Sequence, residues 1–209
     1  FKRSPGFMDV VAYTGTGSTV AINHNLGVAP EMMWIKNRVD NESWSVYHKD
    51  KGADKTMWLN DSGAGITHDR FNNQDPTASV FYVKTDNAVN DNGDTYVAYL
   101  FATQPGISKV GSYTGNGANG AQQVDCGFTN GAAFIIVKNA SNSGDWYLLD
   151  SERGINAYNE SDVYTLMNVS GVPQTGNVIG YHNVGFMVNG SSPLNTGGDE
   201  YIFYAVANP

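Results

Sequence analysis

The strongest constraint on the fold of this chain is that it carries one pattern twice. Asp94, Tyr96, Tyr99 and Ala102 in DTYVAYLFATQP have counterparts in Asp199, Tyr201, Tyr204 and Ala207 of DEYIFYAVANP, and each segment runs to a proline, Pro105 or Pro209. Further matches keep the same order. Ala12-Tyr13-Thr14-Gly15-Thr16-Gly17 aligns with Ser112-Tyr113-Thr114-Gly115-Asn116-Gly117 at an offset of 100. From Ile22 against Val124 the offset is 102, and it holds through Lys36-Asn37 and Lys138-Asn139, Trp44 and Trp146, and Lys51-Gly52 and Arg153-Gly154. It becomes 108 where Asn60-Asp61-Ser62-Gly63 faces Asn168-Val169-Ser170-Gly171, and 105 from Phe81-Tyr82-Val83 against Phe186-Met187-Val188 to the end. The shifts fall in glycine- and asparagine-rich places, where loops absorb insertions. The chain therefore reads as a tandem duplication of a unit of about 100 residues, the size of one compact β domain. Two domains are expected, 1–105 and 106–209, with Gln104-Pro105-Gly106 interrupting strand formation between them.

Within each copy the apolar residues come in short bursts bounded by turn formers. VVAYT, EMMWIK, SWSVYH, TMWLN, SVFYVK and TYVAYLFA in the first are matched by KVGSYT, AFIIVK, DWYLLD, YTLMN, VGFMV and EYIFYAVA in the second. Bursts of this length, rich in Val, Ile, Tyr, Phe and Trp, predict β-strands. MMWI, YVAYLFA, FIIV and YIFYAVA are apolar at nearly every position, which predicts strands covered on both faces, whereas SWSVY alternates as a half-exposed strand should. NDNGDT and NTGGDE supply Asn-Gly and Gly-Gly pairs for tight hairpins ahead of the last strand of each copy. The best helix candidate is a single turn around Ser161 to Tyr164. The expected fold is all-β: two tandem homologous antiparallel β-sandwich units of jelly-roll or lectin-like type.

Composition narrows the partners. Charged residues are 15% of the chain, against roughly 25% in an average soluble domain, so the polar surface must be largely neutral. Twenty-three asparagines supply much of it, and many short turns follow. The net charge of −8, with 12 Lys and Arg and no run of them, argues against nucleic acid, because phosphate binding needs clustered cations. No apolar stretch approaches 18 residues, so no membrane insertion is expected. The single cysteine, Cys126, rules out an internal disulfide framework. The opening FKRSPG reads as the tail of a linker from a preceding domain.

Motifs for chemistry are sparse. His24 aligns with Cys126 and His48 with Asp150, while His68 and His182 have no histidine counterpart. Since His24 and Cys126 belong to different copies, a nucleophile pair is not expected and each histidine reads as a loop or strand-end residue. GxSxG, HExxH and paired metal-binding cysteines are absent from the sequence. Asp145 with Asp150, or Asp50 with Asp54, are the acidic pairs to weigh as general acid and base on a glycoside, against the simpler reading of solvated loop carboxylates. NAVNDNGD lacks the calcium-loop spacing, and its Asn92-Gly93 fits a hairpin. Trp44 and Trp146 occupy one place in both copies and read as core; Trp34, Trp58, Tyr158 and Tyr181 are left as aromatic residues for ligand contact, with nothing to choose among them. Asn-x-Ser sequons begin at Asn41, Asn60, Asn139, Asn159, Asn168 and Asn189. The second copy departs from Gly27-Val28-Ala29-Pro30 with Thr129-Asn130-Gly131-Ala132, so a site shared by both copies is not expected in that loop.

SPGFMDVVAYTGTG, INHNLGVAPEMMWIKNR, the strand holding Trp44, Val46 and Tyr47, and GDTYVAYLFATQPGISKVGSYTGNG together resemble a region of tail-fibre and other structural proteins of tailed bacteriophages. FTNGAAFIIVKN, GDWYLLDSERG and YIFYAVA extend the resemblance through the second copy, so that it covers residues 5 to 207. In those proteins the region commonly lies downstream of a concanavalin-like, laminin-G-type domain. The resemblance implies a virion component, a tail-fibre or other appendage module. Its partners would be other virion proteins and copies of itself, as a trimer or larger symmetric oligomer, with attachment to a host-surface glycan as a further expectation. It transfers no catalytic residues, and no enzyme activity, cofactor or metal is expected. The alternatives are a secreted lectin or carbohydrate-binding module of a larger protein and, ranked last, a polysaccharide depolymerase.

Overall fold

The computed structural model describes residues 3–117, 120–157 and 160–209. The chain divides into two compact units, Phe1–Thr103 and Gln104–Pro209. In the first, β1 (Met8–Thr14), β2 (Val20–Asn23), β3 (Met32–Asn37), β4 (Ser45–His48), β5 (Lys55–Trp58) and β6 (Ile66–Thr67) lead to a 3-10 turn at Asp69–Phe71. Then come β7 (Val80–Val83), the one-turn helix α1 (Asn87–Asn90) and β8 (Thr95–Phe101). The second unit opens with β9 (Ser108–Thr114), β10 (Gln122–Asp125), β11 (Ala132–Asn139), β12 (Trp146–Asp150) and β13 (Asp162–Leu166). It continues through β14 (Gln174–Gly176), β15 (Ile179–His182), β16 (Gly185–Val188) and β17 (Glu200–Ala207).

Both units are antiparallel β-sandwiches built on one plan. The main sheet of the first runs β1-β8-β3-β4-β5-β6 and that of the second β9-β17-β11-β12-β13-β14. A smaller sheet lies over each, β2-β7 in the first and β10-β16-β15 in the second. In each unit the first strand pairs with the last and the second with the next to last, β2 with β7 and β10 with β16, which nests the outer strands as a jelly roll does; the middle strands continue the main sheet as a meander.

Each unit has its own core. Met33, Ile35, Ala98 and Leu100 of the first main sheet meet Phe81 and Val83 of β7, with Phe71 and Val89 closing the ends. Ile135, Val137, Phe203 and Ala205 meet Val124, Phe186 and Val188 in the second. Burying one such side chain is worth about 1.5–3 kcal/mol, so a dozen of them can hold a unit of this size without a disulfide. The apolar runs behave as their composition predicts: in β11, Ile135, Ile136, Val137 and Lys138 are all buried, on alternating faces.

The alignment of the copies is reproduced bond by bond. Trp44 N–H donates to Asn60 Oδ1 at 2.9 Å, and Trp146 N–H to Asn168 Oδ1 at 2.8 Å. Asn37 Nδ2 donates to Asp94 Oδ2 at 2.8 Å, and Asn139 Nδ2 to Asp199 Oδ2 at 2.7 Å. A corner after the first strand is also shared, since Thr16 N–H donates to Asn90 Oδ1 and Asn116 N–H to Asn195 Oδ1. Glycine is required at that corner: a Cβ on Gly15 would stand 2.0 Å from the Asp91 carbonyl oxygen, and one on Gly115 2.2 Å from that of Thr196. Where the loops are covered this tightly, the turn residues cannot drift between copies.

Five details differ from the sequence reading. NDNGDT and NTGGDE close no hairpin, because β8 pairs with β1 and β3 rather than with β7, and β17 with β9 and β11 rather than with β16. Ser161 to Tyr164 is not helical: Asp162 begins β13, and its buried carboxylate accepts the N–H groups of Val178 and Ile179 at 3.2 and 3.1 Å. The helical turn lies instead at Asn87–Asn90, inside NAVNDNGD, because Asp86 caps it through Ala88 N–H at 2.9 Å. The SWSVY strand is not half-exposed: Ser45, Val46, Tyr47 and His48 are all buried, because Ser45 Oγ meets Arg70 Nη1 at 3.1 Å inside the unit. Arg3 to Gly6 are tied into the first unit rather than trailing from it. Arg3 pairs with Asp9, Ser4 bridges to Met8, and Gly6 N–H donates to Leu26 carbonyl at 2.7 Å.

Ser4-Pro5-Gly6 and Gln104-Pro105-Gly106 are the same opening turn. Gly6 and Gly106 have φ of 75° and 74°, the left-handed value a Pro-Gly turn needs. Gln104 N–H donates to Ser108 carbonyl at 3.1 Å, so Gln104 already belongs to the second unit.

Candidate functional site

A groove of about 470 Å³ opens in the first unit, at the end of the main sheet where β3 begins and β4 and β8 finish. Glu31 stands one residue ahead of β3. Its carbonyl accepts Lys49 N–H at 2.8 Å and its N–H donates to Phe101 carbonyl at 2.9 Å, which extends the ladder and fixes its direction. Tyr47 and Lys49 come from the end of β4, Asp75 and Pro76 from the segment ahead of β7, and Thr103 follows β8. Val28 and Pro30, from the loop before β3, supply an apolar wall.

The charged groups in the groove are ordered. Glu31 Oε1 accepts from Lys49 Nζ at 2.8 Å, and Oε2 accepts from Thr103 N–H at 2.8 Å and from its hydroxyl. Burial raises the Glu31 pKa, but the Lys49 ammonium and the Thr103 donors outweigh it and hold the carboxyl below its ordinary value. Tyr47 hydroxyl donates to Asp75 Oδ1 at 3.2 Å. Burial first, and the Asp75 charge second, push the Tyr47 phenol far up, so it stays a neutral donor at any physiological pH.

Two other constellations lie in the first unit. Arg70 is buried and grips Asp86 with Nε at 3.0 Å and Nη2 at 3.1 Å, while its guanidinium carbon sits 5.9 Å from the Trp58 ring centroid. Since Asp86 also caps α1, this pair is a brace between the 3-10 turn, β4 and the helix. Asp40, Asp91 and Asp94 each bring one carboxylate oxygen within 4.8 Å of the others, at the exposed side of the α1 corner.

The residues weighed in the sequence are placed as follows. His24 is buried; its Nδ1 accepts from Leu26 N–H at 3.2 Å, so Nε2 carries the proton and faces Thr77 carbonyl at 3.1 Å. Burial lowers its pKa, which keeps it neutral. Cys126 lies in the core of the second unit, and burial pushes its thiol up to about 12, far from a reactive thiolate. His48 is buried in β4 beside Asp50, His68 lies 3.6 Å from Asp86, and His182 Nδ1 accepts from Val184 N–H at 3.5 Å. Asp145 is bound to Asn168 Nδ2 at 2.7 Å and Asp150 to Arg153 at 2.7 Å. Asp54 lies 3.6 Å from Lys55, and Asp50 lies near His48.

Trp146 is fully buried, whereas Trp44 is half-buried with its ring 6.1 Å from Tyr99. Trp34 packs on Phe101 with centroids 4.7 Å apart. Tyr181 is 43% exposed, and Tyr158 lies outside the described residues. Of the sequons, Asn60, Asn139 and Asn168 spend their side chains on internal hydrogen bonds, Asn189 is buried, Asn41 is exposed, and Asn159 lies outside the described residues.

Reading the sequence alone did not single out Glu31, Tyr47, Lys49, Asp75, Arg70 or Asp86. The one signal near the groove was the break in the repeat at Gly27-Val28-Ala29-Pro30, and the groove lies against that loop. A family model described as a domain of unknown function, DUF7483, matches residues 2–209. The chain belongs to the DUF7483 family. The DUF7483 match runs through both units. Comparison with curated proteins and with solved structures returns no match.

Proposed function

We propose that this chain is a structural module of a tailed-bacteriophage particle, a tail-fibre or other appendage component that works in the virion, outside the cell. One observation carries the reading: the resemblance to phage tail-fibre proteins runs through both units, and the segments that carry it include the frame of each. TGTG and TGNG form the covered corner, Lys36-Asn37 and Lys138-Asn139 anchor the central strands, and YVAYLFA and YIFYAVA are the central strands themselves. A low content of charge and an Asn-rich, turn-rich sequence suit an extracellular particle and weak, multivalent recognition.

A non-enzymatic role is favoured by the state of the acidic pair weighed in the sequence: Asp145 is bound to Asn168 and Asp150 to Arg153. The partners in this reading are other virion chains and further copies of this one, in a symmetric assembly such as a trimer. Mass spectrometry of purified particles, with chemical cross-linking to identify neighbouring chains, tests it. The chain is expected in the particle, cross-linked to itself and to an appendage protein; its absence from particles that contain the appendage overturns the reading. The groove of the first unit favours a second reading, a lectin or carbohydrate-binding module of a larger protein, which predicts glycan binding by a chain that no particle contains.

A further inference from the structure

The two units test each other. Where a network recurs in both, the fold requires it; where one unit alone keeps polar side chains around a cavity, the fold does not explain them. The groove is such a place. Glu31 is matched by Ala133, Tyr47 by Leu149 and Lys49 by Ser151, and five residues ahead of the paired strands β7 and β16 the first unit has Asp75-Pro76 where the second has Gly180-Tyr181. The loop of the second unit is closed over. Asn208 N–H donates to Gly131 carbonyl at 2.9 Å, Asn130 Nδ2 to Pro209 carbonyl at 3.1 Å, and the Tyr181 ring lies where a Cβ on Gly131 would meet it at 2.5 Å. The second unit thus folds on the same plan with no charged group at this place.

The hydrogen-bonding capacity left in the groove states what would fit. Lys49 uses one ammonium hydrogen on Glu31 and has two more to donate. Asp75 is exposed; its Oδ1 takes the Tyr47 hydroxyl, and its Oδ2 has no hydrogen bond among the described residues. Glu31, Asp75 and Lys49 together leave one negative charge in excess, which disfavours an anion. Val28, 41% exposed, offers an apolar surface beside Pro30 and Pro76, which line the groove but are themselves buried. A donor and an acceptor, both charged, beside an apolar wall match a ring that carries adjacent hydroxyls on its rim and C–H groups on its face.

We propose that the groove of the first unit, and not its counterpart in the second, binds a neutral saccharide of one or two rings, with Lys49 donating to ring hydroxyls, Asp75 accepting from them, and Val28 covering the C–H face. This deepens the recognition role proposed above and rests on it for its biological use. The test is NMR titration of the isotope-labelled full chain with neutral methyl glycosides of glucose, galactose and N-acetylglucosamine and their disaccharides, beside lysine amide and glucuronate as charged probes. Saturable shifts confined to residues 28–31, 47–49 and 75–76 are expected with at least one neutral sugar. Asp75→Ala should weaken that binding at least about tenfold with an otherwise unchanged spectrum, as loss of a charged hydrogen bond does. Val28→Asp, which removes the apolar wall, should weaken it, and Val172→Ser, on an exposed loop of the second unit, should leave it unchanged. The proposal is overturned if no neutral sugar shifts the groove, if the shifts fall on residues 129–132, if Asp75→Ala binds as the parent does, or if only a charged probe binds. A flat titration with the chain present in particles removes the site and leaves the structural role; sugar binding by a chain absent from particles does the reverse.

Discussion

Tyr13 stacks on Tyr96 with ring centroids 5.1 Å apart and planes 15° from parallel, and Tyr113 on Tyr201 at 5.0 Å and 9° repeats the arrangement in the second unit. The members of each pair sit directly opposite one another, on β1 and β8 and on β9 and β17. Their hydroxyls serve the same corner in both units. Tyr13 donates to Val89 carbonyl and Tyr113 to Leu194 carbonyl, at 2.7 and 2.9 Å. Tyr96 donates to Asn87 carbonyl and accepts Asp91 N–H; Tyr201 donates to Pro193 carbonyl and accepts Thr196 N–H. A stacked pair over a main-chain corner is therefore the joint that closes each sandwich.

Removing one hydroxyl should cost its own unit alone. Tyr96→Phe and Tyr201→Phe each leave a main-chain N–H and a carbonyl at the corner without their partner, at a cost of about 1–3 kcal/mol. Because the partners of each hydroxyl lie in its own unit, the double variant should lose the sum of the two. Urea denaturation of the three variants measures this, and a double loss well short of the sum would mean that the joints are coupled.

Gly111 faces Phe203 across β9 and β17 where the first unit has Val11 facing Ala98, a small-large pair exchanged for a large-small one. A Cβ on Gly111 would stand 2.9 Å from Phe203 Cζ. Gly111→Val should overpack by about 1–3 kcal/mol, and Phe203→Ala should leave a cavity costing about 3–5 kcal/mol. The double variant copies the first unit's pair and should be more stable than the two single losses added together predict. A thermodynamic cycle with zero coupling would refute that complementarity.

The second unit also shows how to relieve the acidic trio. Asn142 stands where the first unit has Asp40, and its Nδ2 donates to Asp199 Oδ1 at 2.7 Å. Asp40→Asn should exchange repulsion with Asp94 for that hydrogen bond and stabilise the first unit by about 0.5 kcal/mol at low ionic strength, with less gain as salt is added. Thermal melts at two salt concentrations read out the gain; a lower melting temperature for the variant contradicts the account.

Acid should weaken the groove before the core. The Glu31 carboxyl has a folded pKa below its ordinary value of 4.5, because the effects of Lys49 and Thr103 exceed that of burial. A depressed folded pKa stabilises the fold at pH values above 4.5, and that contribution is lost as pH falls through the folded value. Glu31→Gln should be less stable than the parent at pH 7 by about 1 kcal/mol and converge with it in acid, giving a flatter acid limb in melting temperature against pH. Parallel curves for the two proteins would show that Glu31 does not carry the effect.

The long bursts were legible because a strand covered on both faces must be apolar at consecutive positions, and β3, β8, β11 and β17 obey that rule locally. The short polar strands were not: β2, β6, β10, β14 and β15 owe their pairing to neighbours that the sequence does not display. Ser45 and His48 look like exposed positions until Arg70 reaches Ser45 from 25 residues away. Ser161 to Tyr164 looks like a helical turn until Asp162 takes the N–H groups of Val178 and Ile179.

By itself, the sequence determined the duplication, the strand content and the Pro-Gly turn that opens each unit, since these follow from order, periodicity and backbone preference among near neighbours. Only the tertiary structure decided that Glu31, Tyr47, Lys49 and Asp75 share one groove, that Arg70 and Asp86 form a buried brace, and that one unit has a polar site where the other has Tyr181 over Gly131. The reason is physical. Which distant side chains converge depends on strand order and register, and those are settled by the packing of a whole unit rather than by any short stretch of it.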